Sequence, residues 1–157
     1  MLDEYSSKLN NLLVNTYRSV LKVEELMIKS VNSIDLSISE LHMVECIGQQ
    51  KQEGKTISDI AQELDITLPS VTVAVKKLTK KGYVRKEKSS EDGRVVRVVL
   101  TKLGKRADAL HRYFHEQMIR NVMKAIPEEE KDTLVSAMAG LDNFFQKTLD
   151  DMKKKQQ

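Results

Sequence analysis

Cysteine and proline are scarce in this sequence of 157 residues, and tryptophan is absent. The single cysteine, Cys46, cannot form an intrachain disulfide, which excludes a small disulfide-stabilised fold. No segment approaches the roughly 18 to 20 consecutive apolar residues that cross a bilayer, so we expect no membrane partner. Residues 1–4 lack the basic start of a secretory signal, and we therefore expect a cytoplasmic protein.

Signatures of common enzymes are missing as well. The sequence has no glycine-rich phosphate loop, no nucleophile elbow and no His-Glu-x-x-His motif. We therefore expect a protein that is not an enzyme and that needs no cofactor. The length, together with 40% hydrophobic and 31% charged residues, predicts one globular domain.

Positive charge is concentrated in one segment. Residues 76–106 carry twelve basic and three acidic side chains, whereas residues 1–75 carry six and eleven, and residues 107–157 carry eight and nine. A segment this basic repels itself unless an anion neutralises it. Nucleic acid is the leading partner because phosphates release counterions when Lys and Arg contact them. A solvated basic surface is the alternative.

Apolar spacing predicts two helices before the basic segment. The first is expected from about Asp3 to Ser30, where leucine and valine recur every three or four residues. The second should start at Ser37, which forms the Ser-x-x-Glu pattern of a capping box with Glu40, and should end near Gly48. The polar residues 49–55 are then expected to form a loop.

A helix-turn-helix follows this loop. Residues Thr56–Leu64 predict a short amphipathic helix, and Asp65–Ile66 a tight connection. Thr67 is placed to cap a second helix with Pro69 in its first turn, and that helix should stop near Lys81–Gly82. Two short helices around a tight turn form this motif.

The periodicity changes after the motif. Residues Tyr83–Lys88 and Val95–Leu100 predict two strands of a hairpin, separated by the turn-forming residues 89–94. A long helix should run from Thr101 to about Ile126, and Pro127 should begin a last helix with its own apolar stripe. The predicted fold class is mainly α with a small β-hairpin, which is a winged helix-turn-helix.

This arrangement predicts how DNA is contacted. The second helix of the motif can enter the major groove while the hairpin reaches the adjacent backbone or minor groove. Arg94 at the hairpin tip is placed for the minor groove, where the potential is most negative, and Asp92 is expected to support the turn. A purely structural hairpin is the alternative. The candidate DNA-binding residues are Ser70, Thr72, Val73, Lys76, Lys77, Arg85, Lys88, Arg94 and Arg97.

The chain resembles the MarR family of bacterial transcriptional regulators. The resemblance rests on Leu36-Ser37, Ile60-Ala61, Val71-Thr72 through Leu78, Lys81-Gly82-Tyr83-Val84, Asp92-Gly93-Arg94 and Leu100-Thr101-Lys102-Leu103-Gly104. It implies a homodimer of intertwined terminal helices that binds a pseudo-palindromic operator in double-stranded DNA. It also implies a dimerisation helix in residues 1–36, a DNA-binding lobe in 37–100 and dimerisation helices in 101–157, within one structural domain.

Two segments are similar to the MarR-type repressors of fatty-acid synthesis, namely Ile38–His42 and Leu110–Met118. That resemblance implies a response to free acyl chains or to acyl-acyl carrier protein. Methionine suits a tunnel for a flexible chain, although plain core packing would explain the same residues. The candidate effector residues are Met27, His42, Met43, Ile47, Leu110, His111, Phe114, His115 and Met118.

The histidines leave other interpretations open. His111 and His115 lie four residues apart on one predicted helix, a spacing that can bind a metal. With Glu24 and His42 they are similar to the zinc-responsive repressors of metal uptake within the MarR family. A response to another small apolar or phenolic ligand, a structural role for the histidines, and a zinc-storage or protein-interaction module are further alternatives.

Cys46 offers one more possibility. A reactive cysteine could sense peroxide, but the position of Cys46 among apolar residues of the second predicted helix indicates a buried, inert thiol.

Overall fold

The computed structural model describes residues 3–31, 34–50, 53–88 and 94–155. The chain divides into two units, Met1–Phe114 and His115–Gln157. No helix in the described ranges combines the length and the apolar character needed to cross a membrane. The described elements are α1 (Glu4–Ser30), α2 (Ile38–Gly48), α3 (Ile57–Leu64), α4 (Leu68–Lys80), β1 (Val84–Lys88), β2 (Val96–Leu100), α5 (Lys102–Ala125) and α6 (Glu128–Lys154).

The predicted helix starts are confirmed by their caps. The side chain of Ser37 accepts a hydrogen bond from the Glu40 N–H, and Glu40 accepts one from the Ser37 N–H, which completes the expected capping box. Thr56 and Asp59 form a second capping box at α3, and the Thr67 side chain caps α4. Each cap satisfies backbone N–H groups that the first helical turn leaves unpaired.

The turn of the helix-turn-helix depends on one left-handed residue. Asp65 has a φ of 52°, and it ends α3 so that the Ile66 N–H reaches back to the Ala61 carbonyl over 3.0 Å. Aspartate tolerates this conformation better than most residues with a β-carbon. The turn is therefore tight enough that only three residues separate α3 from α4.

The core of the first unit lies between α2, the helix-turn-helix and the sheet. Val71, Val75 and Leu78 on α4 are completely buried. They pack in one cluster with the buried residues of α2, such as Leu41 and Val44. Because these three residues follow one another at helical spacing, they form one buried face, and the opposite face of α4 points toward solvent.

The wing is the antiparallel pair β1 and β2 with its connection. The register pairs Val84 with Leu100 and Lys88 with Val96. The expectation that residues 49–55 form only a loop is wrong at Lys55, whose backbone exchanges hydrogen bonds of 3.0 and 2.7 Å with Val98. The free edge of β2 supplies backbone groups that Lys55 pairs with, and polar composition alone does not reveal such a long-range bridge.

The second unit contains the end of α5 and all of α6. Pro127 precedes the first residue of α6, and three glutamates in its first turn lie at the positive end of the helix dipole. No described residue of α6 is buried, and Met138, Phe145 and Leu149 are exposed. The predicted apolar stripe therefore exists and is uncovered within the single chain.

Glycine is required where α5 approaches β1. A β-carbon at Gly104 would lie 2.1 Å from the Tyr83 carbonyl oxygen, whereas one at Gly140 in α6 would meet no atom within 4 Å. We predict that Gly104→Ala lowers the free energy of unfolding by roughly 1–3 kcal/mol because the backbones must separate. Gly140→Ala should leave stability unchanged or raise it by up to about 1 kcal/mol. Urea denaturation of both variants checks this, and equal midpoints would contradict it.

Candidate DNA interface and effector site

The outer face of α4 carries the predicted major-groove residues. Ser70, Thr72, Val73, Lys76 and Lys77 are all exposed, opposite the buried face of the helix. The Thr72 hydroxyl donates to the Leu68 carbonyl over 2.9 Å, so on this exposed residue the oxygen can still accept a hydrogen bond. The face combines short polar groups, one apolar group and two cations, which suits base edges flanked by phosphates.

The predicted wing residues fall into two kinds. Lys88 and Arg94 are exposed, and Asp92 lies outside the described residues. Arg85 contacts the Glu87 carboxylate and donates to the Leu100 carbonyl over 3.4 Å, while Arg97 donates to the Gly54 carbonyl over 3.2 Å. These two arginines thus brace the wing backbone as well as adding positive charge beside α4.

An ion pair links the start of α2 to the end of α4. Lys81 Nζ lies 3.0 Å from Glu40 Oε2 and 2.9 Å from the Asp35 carbonyl oxygen. Burial raises the pKa of Glu40. The hydrogen bonds from the Ser37 N–H and Lys81 together lower it by more, so the pKa lies below its usual value. The hydrogen bond to Glu40 raises the pKa of Lys81. The pair therefore remains ionised and holds the segment before α2 against the helix-turn-helix.

A buried lysine joins α2, α3 and the wing. Lys55 is only 3% exposed, and its Nζ contacts the Glu63 carboxylate, Gln49 Oε1 at 3.2 Å and Cys46 Sγ at 3.6 Å. Burial raises the pKa of Cys46 to about 11, so the thiol is protonated at neutral pH. The buried position that the sequence predicts for this thiol is confirmed.

Two of the candidate effector residues of the first unit, His42 and His111, lie in a cluster with the carboxylates of Glu24 and Glu45. His42 Nε2 lies 3.7 Å from Glu24 Oε2, and His111 Nδ1 lies 3.2 Å from Glu45 Oε2. The two imidazole rings are 5.5 Å apart between centroids. Glu24 and His111 are almost fully buried, at 4% and 1% exposure. Three helices, α1, α2 and α5, supply this cluster.

The donor set of this cluster fits a zinc ion. Imidazole nitrogen and carboxylate oxygen are typical zinc ligands, and ligand atoms on a tetrahedral zinc lie about 3.3 Å apart. The distance of 3.7 Å between His42 Nε2 and Glu24 Oε2 is close to that spacing. One ligand atom of Glu24 and one of His111 lie within 4.8 Å of each other. Of the predicted metal ligands, His115 follows one turn after His111 on α5 and belongs to the second unit.

The other predicted effector residues are distributed between core and cavities. Met43 and Ile47 are buried in the core, whereas Met27, Leu110 and Phe114 are half-buried, and Met118 lies in the second unit. His42 and Met43 line a cavity of about 860 Å³ between α2 and the helix-turn-helix. Ile47 lines a different cavity of about 280 Å³ beside the wing. The tunnel residues therefore do not surround one cavity within the first unit.

Three charged residues at these sites are not among the sequence predictions. Glu45 contacts His111, Lys55 is buried between α2 and α3, and Asp108 is buried beside Gly48. Glu45 lies one turn after His42 on α2, so the helical spacing could have indicated it. Lys55 and Asp108 are harder to predict, because the bridge of Lys55 to Val98 and the approach of Asp108 to Gly48 join segments that are distant in sequence.

Comparisons with known proteins agree with this geometry. The sequence model of the MarR family matches residues 36–96. The crystal structure of Streptococcus pneumoniae FabT in complex with DNA has a TM-score of 0.84 and 31% identity to this chain, covering 90% of this chain and 98% of FabT.

Two curated sequences are also similar. Transcriptional regulator AdcR of Streptococcus pyogenes serotype M6 is 33% identical over 116 residues, which cover 71% of this chain and 75% of AdcR. The uncharacterised HTH-type transcriptional regulator YhjH of Bacillus subtilis is 26% identical over 112 residues, which cover 69% of this chain and 63% of YhjH.

A helix-turn-helix with a basic wing defines a winged-helix DNA-binding protein, and the fold predicted from the sequence is confirmed. The chain belongs to the MarR family of transcriptional regulators. Dimerisation is typical of this family, and its members are regulators and not enzymes.

The Cys46 environment yields a prediction about thiol chemistry. With a pKa of about 11 in place of the ordinary value of 9.0, the thiolate fraction at pH 8 should be about a hundredfold smaller than that of an exposed cysteine. We expect iodoacetamide to modify the native protein at least that much more slowly than the urea-unfolded protein. Mass spectrometry over time checks this, and comparable rates would restore Cys46 as a candidate sensor.

Proposed function

We propose that this protein is a cytoplasmic repressor of fatty-acid synthesis genes that binds a pseudo-palindromic operator as a homodimer and responds to acyl chains. DNA binding is supported by the exposed face of α4 with Lys76 and Lys77, by the exposed Arg94, and by the similarity to FabT in complex with DNA. The local resemblance to fatty-acid repressors at Ile38–His42 and Leu110–Met118 supports the pathway.

We assign dimerisation to residues 1–36 and 101–157, and operator binding to residues 37–100. The uncovered apolar side chains of α6 support this assignment, because a soluble protein rarely leaves such a stripe in water. Exposed leucines on α1, such as Leu9 and Leu12, offer a second apolar surface for a partner copy. Two lobes held by one dimer would contact half-sites about one helical turn apart.

The apolar cavity between α2 and the helix-turn-helix is the observation that carries the acyl proposal. Its volume of about 860 Å³ is large enough for a long acyl chain, and its lining includes Met43, Leu64 and Ile66. Val73 and Lys77 border the same cavity and also belong to the proposed DNA face of α4. An acyl chain in this cavity would therefore shift the helix that reads the major groove.

Zinc is the second candidate effector, and the cluster of Glu24, His42, Glu45 and His111 favours it. Glu24, His42 and His111 would hold the ion, and Glu45 would orient the His111 ring through Nδ1. A bound zinc would supply one charge centre that ties α1, α2 and α5 together. His42 belongs to both proposed effector sites. A chelator would remove zinc but not an acyl chain, so the two effectors can be distinguished.

The wing gives a direct test of DNA binding. We predict that Arg94→Ala weakens operator binding by about 1–3 kcal/mol, because a guanidinium in the minor groove contributes that much. Lys147→Ala on α6 removes the same charge outside the residues 37–100 to which we assign operator binding, and it should leave affinity nearly unchanged. Fluorescence anisotropy at fixed salt, on the DNA upstream of the protein's own gene, measures both. Equal affinities of the two variants for the operator would show that Arg94 at the wing does not contact DNA.

The effector cavity gives the second test. Ser39 is exposed and lines the cavity, so the ring of Ser39→Phe should obstruct it and abolish the response to palmitoyl-acyl carrier protein while basal DNA binding remains. Ser58→Phe, on the exposed face of α3, is the matched control. Gel shifts with and without the acyl protein measure the response. If Ser39→Phe still responds to the acyl protein and Phe114→Glu does not, the acyl chain binds beside α5 and not in this cavity.

The zinc candidate predicts a different pattern. A chelator and His111→Ala should then change DNA binding in the same direction, and elemental analysis should find stoichiometric zinc in the purified protein. If an acyl chain is the effector, the chelator should have no effect. A protein that responds to neither, with all three histidines replaceable by glutamine, would leave them as structural residues.

A further inference from the structure

The outermost part of α4 is apolar, although this helix carries the proposed DNA face. Val73 lies two residues from both Val71 and Val75, which are buried, so its side chain is on the opposite side of the helix and is 57% exposed. Pro69 is exposed one turn earlier on the same side, and Leu68 beside it is 51% exposed. We call Leu68, Pro69 and Val73 the α4 patch. Single apolar residues on a surface need no explanation, but a cluster of three on a binding face points to a contact.

The hollows that flank α4 do not account for this patch. Val73 borders the cavity proposed for an acyl chain, and it also borders a hollow along the other side of α4 that Lys76, Lys80 and Lys86 line. Leu68 lines neither of the two. Val73 therefore lies on the ridge between two hollows, and this ridge is the part of α4 that a groove of DNA would meet first.

The polar side chains of α4 distinguish bases poorly. None of its 13 residues is Arg, Asn or Gln, the side chains that pair with guanine or adenine through two hydrogen bonds. The Ser70 hydroxyl shares a hydrogen bond of 2.8 Å with the Thr67 hydroxyl, and the Thr72 hydroxyl donates to the Leu68 carbonyl over 2.9 Å. A single hydroxyl pairs with base donors and acceptors alike, so these groups carry little sequence information.

The cations of α4 lie in its second half. Lys76, Lys77 and Lys80 follow the α4 patch along the helix, and Lys86 on β1 joins them around the hollow. In a helix-turn-helix, the N-terminal residues of the second helix contact base edges, whereas contacts from lysine to phosphate fix the register of the protein on the duplex. The α4 patch thus occupies the position for base contact, and the lysines occupy the position for the DNA backbone.

We propose that the α4 patch selects the operator by contacting the 5-methyl groups of thymines in the major groove. Among the four bases, thymine is the one that presents a hydrocarbon group there, and apolar side chains contact that group favourably. Pro69 and Val73 are about 5.4 Å apart along the helix axis, so one lobe contacts thymines that lie within about two base pairs of each other. The inference rests on the DNA binding of the proposed function and is independent of the effector.

Replacing thymine with uracil removes these methyl groups and changes no hydrogen-bonding group of the base. The DNA upstream of the protein's own gene is footprinted, and the protected duplex is synthesised with dT or with dU. We expect the full-length wild type to bind the dU duplex roughly tenfold more weakly, because a buried methyl group contributes about fourfold and a dimer contacts two half-sites. Fluorescence anisotropy at fixed salt measures both affinities. A duplex with dU only outside the footprint should bind normally.

Three variants assign the effect to the α4 patch. The double variant Leu68→Ala/Val73→Ala should bind the dT duplex more weakly than the wild type and bind the two duplexes with nearly equal affinity. Val135→Ala is the matched control, because Val135 is 61% exposed on α6, and this variant should keep the full preference for dT. Lys76→Gln should weaken both duplexes by the same factor, because uracil and thymine duplexes carry the same phosphates. Thermal melts of all three variants confirm that they are folded.

The outcomes separate this inference from the proposed function. Equal affinity of the wild type for the two duplexes would overturn the role of the α4 patch and leave operator binding intact. An unchanged preference in the folded double variant would also overturn it, because the methyl groups would then act through the shape of the DNA. The absence of any footprint would instead refute the operator binding on which both the inference and the proposed function rest.

Discussion

The outer face of α4 is available to DNA only because its opposite face is held in the core. Val71, Val75 and Leu78 are fully buried, and a helix pinned at three points one turn apart cannot rotate about its axis. Ser70, Thr72 and Lys76 are therefore turned outward by the same packing that stabilises the first unit. A polar substitution at Val75 would disturb the proposed DNA interface through this packing, without touching DNA.

Two ionic contacts extend this constraint to the neighbouring elements. Lys81 ties the segment before α2 to the end of α4, and the buried Lys55 ties α2 and α3 to the wing through its side chain and its bridge to Val98. Buried ion pairs contribute little net stability, but the loss of one partner is costly. They are thus better suited to specifying how the wing sits against the helix-turn-helix than to stabilising the fold.

The two cavities and the histidine cluster all adjoin α2. His42 and Met43 face one cavity, Ile47 and Gly48 face the other, and Glu45 contacts His111. A short helix that contacts every proposed ligand site is well placed to pass a small displacement on to α4, which packs in the same core. Coupling of this kind requires that a ligand bind the two positions of the helix with different affinity.

Local chemistry made much of this protein predictable from its sequence. The caps at Ser37 and Thr67, the apolar spacing of α4 and the change to alternating β-rich runs after Gly82 depend on residues within a few positions of one another. The Lys55 bridge, the buried Asp108, the contact between Glu45 and His111, and the separation of Met43 from Ile47 into different cavities were decided only by the tertiary structure. Each of these depends on two segments distant in the chain that meet after the core has formed, and no local periodicity records which segments will meet.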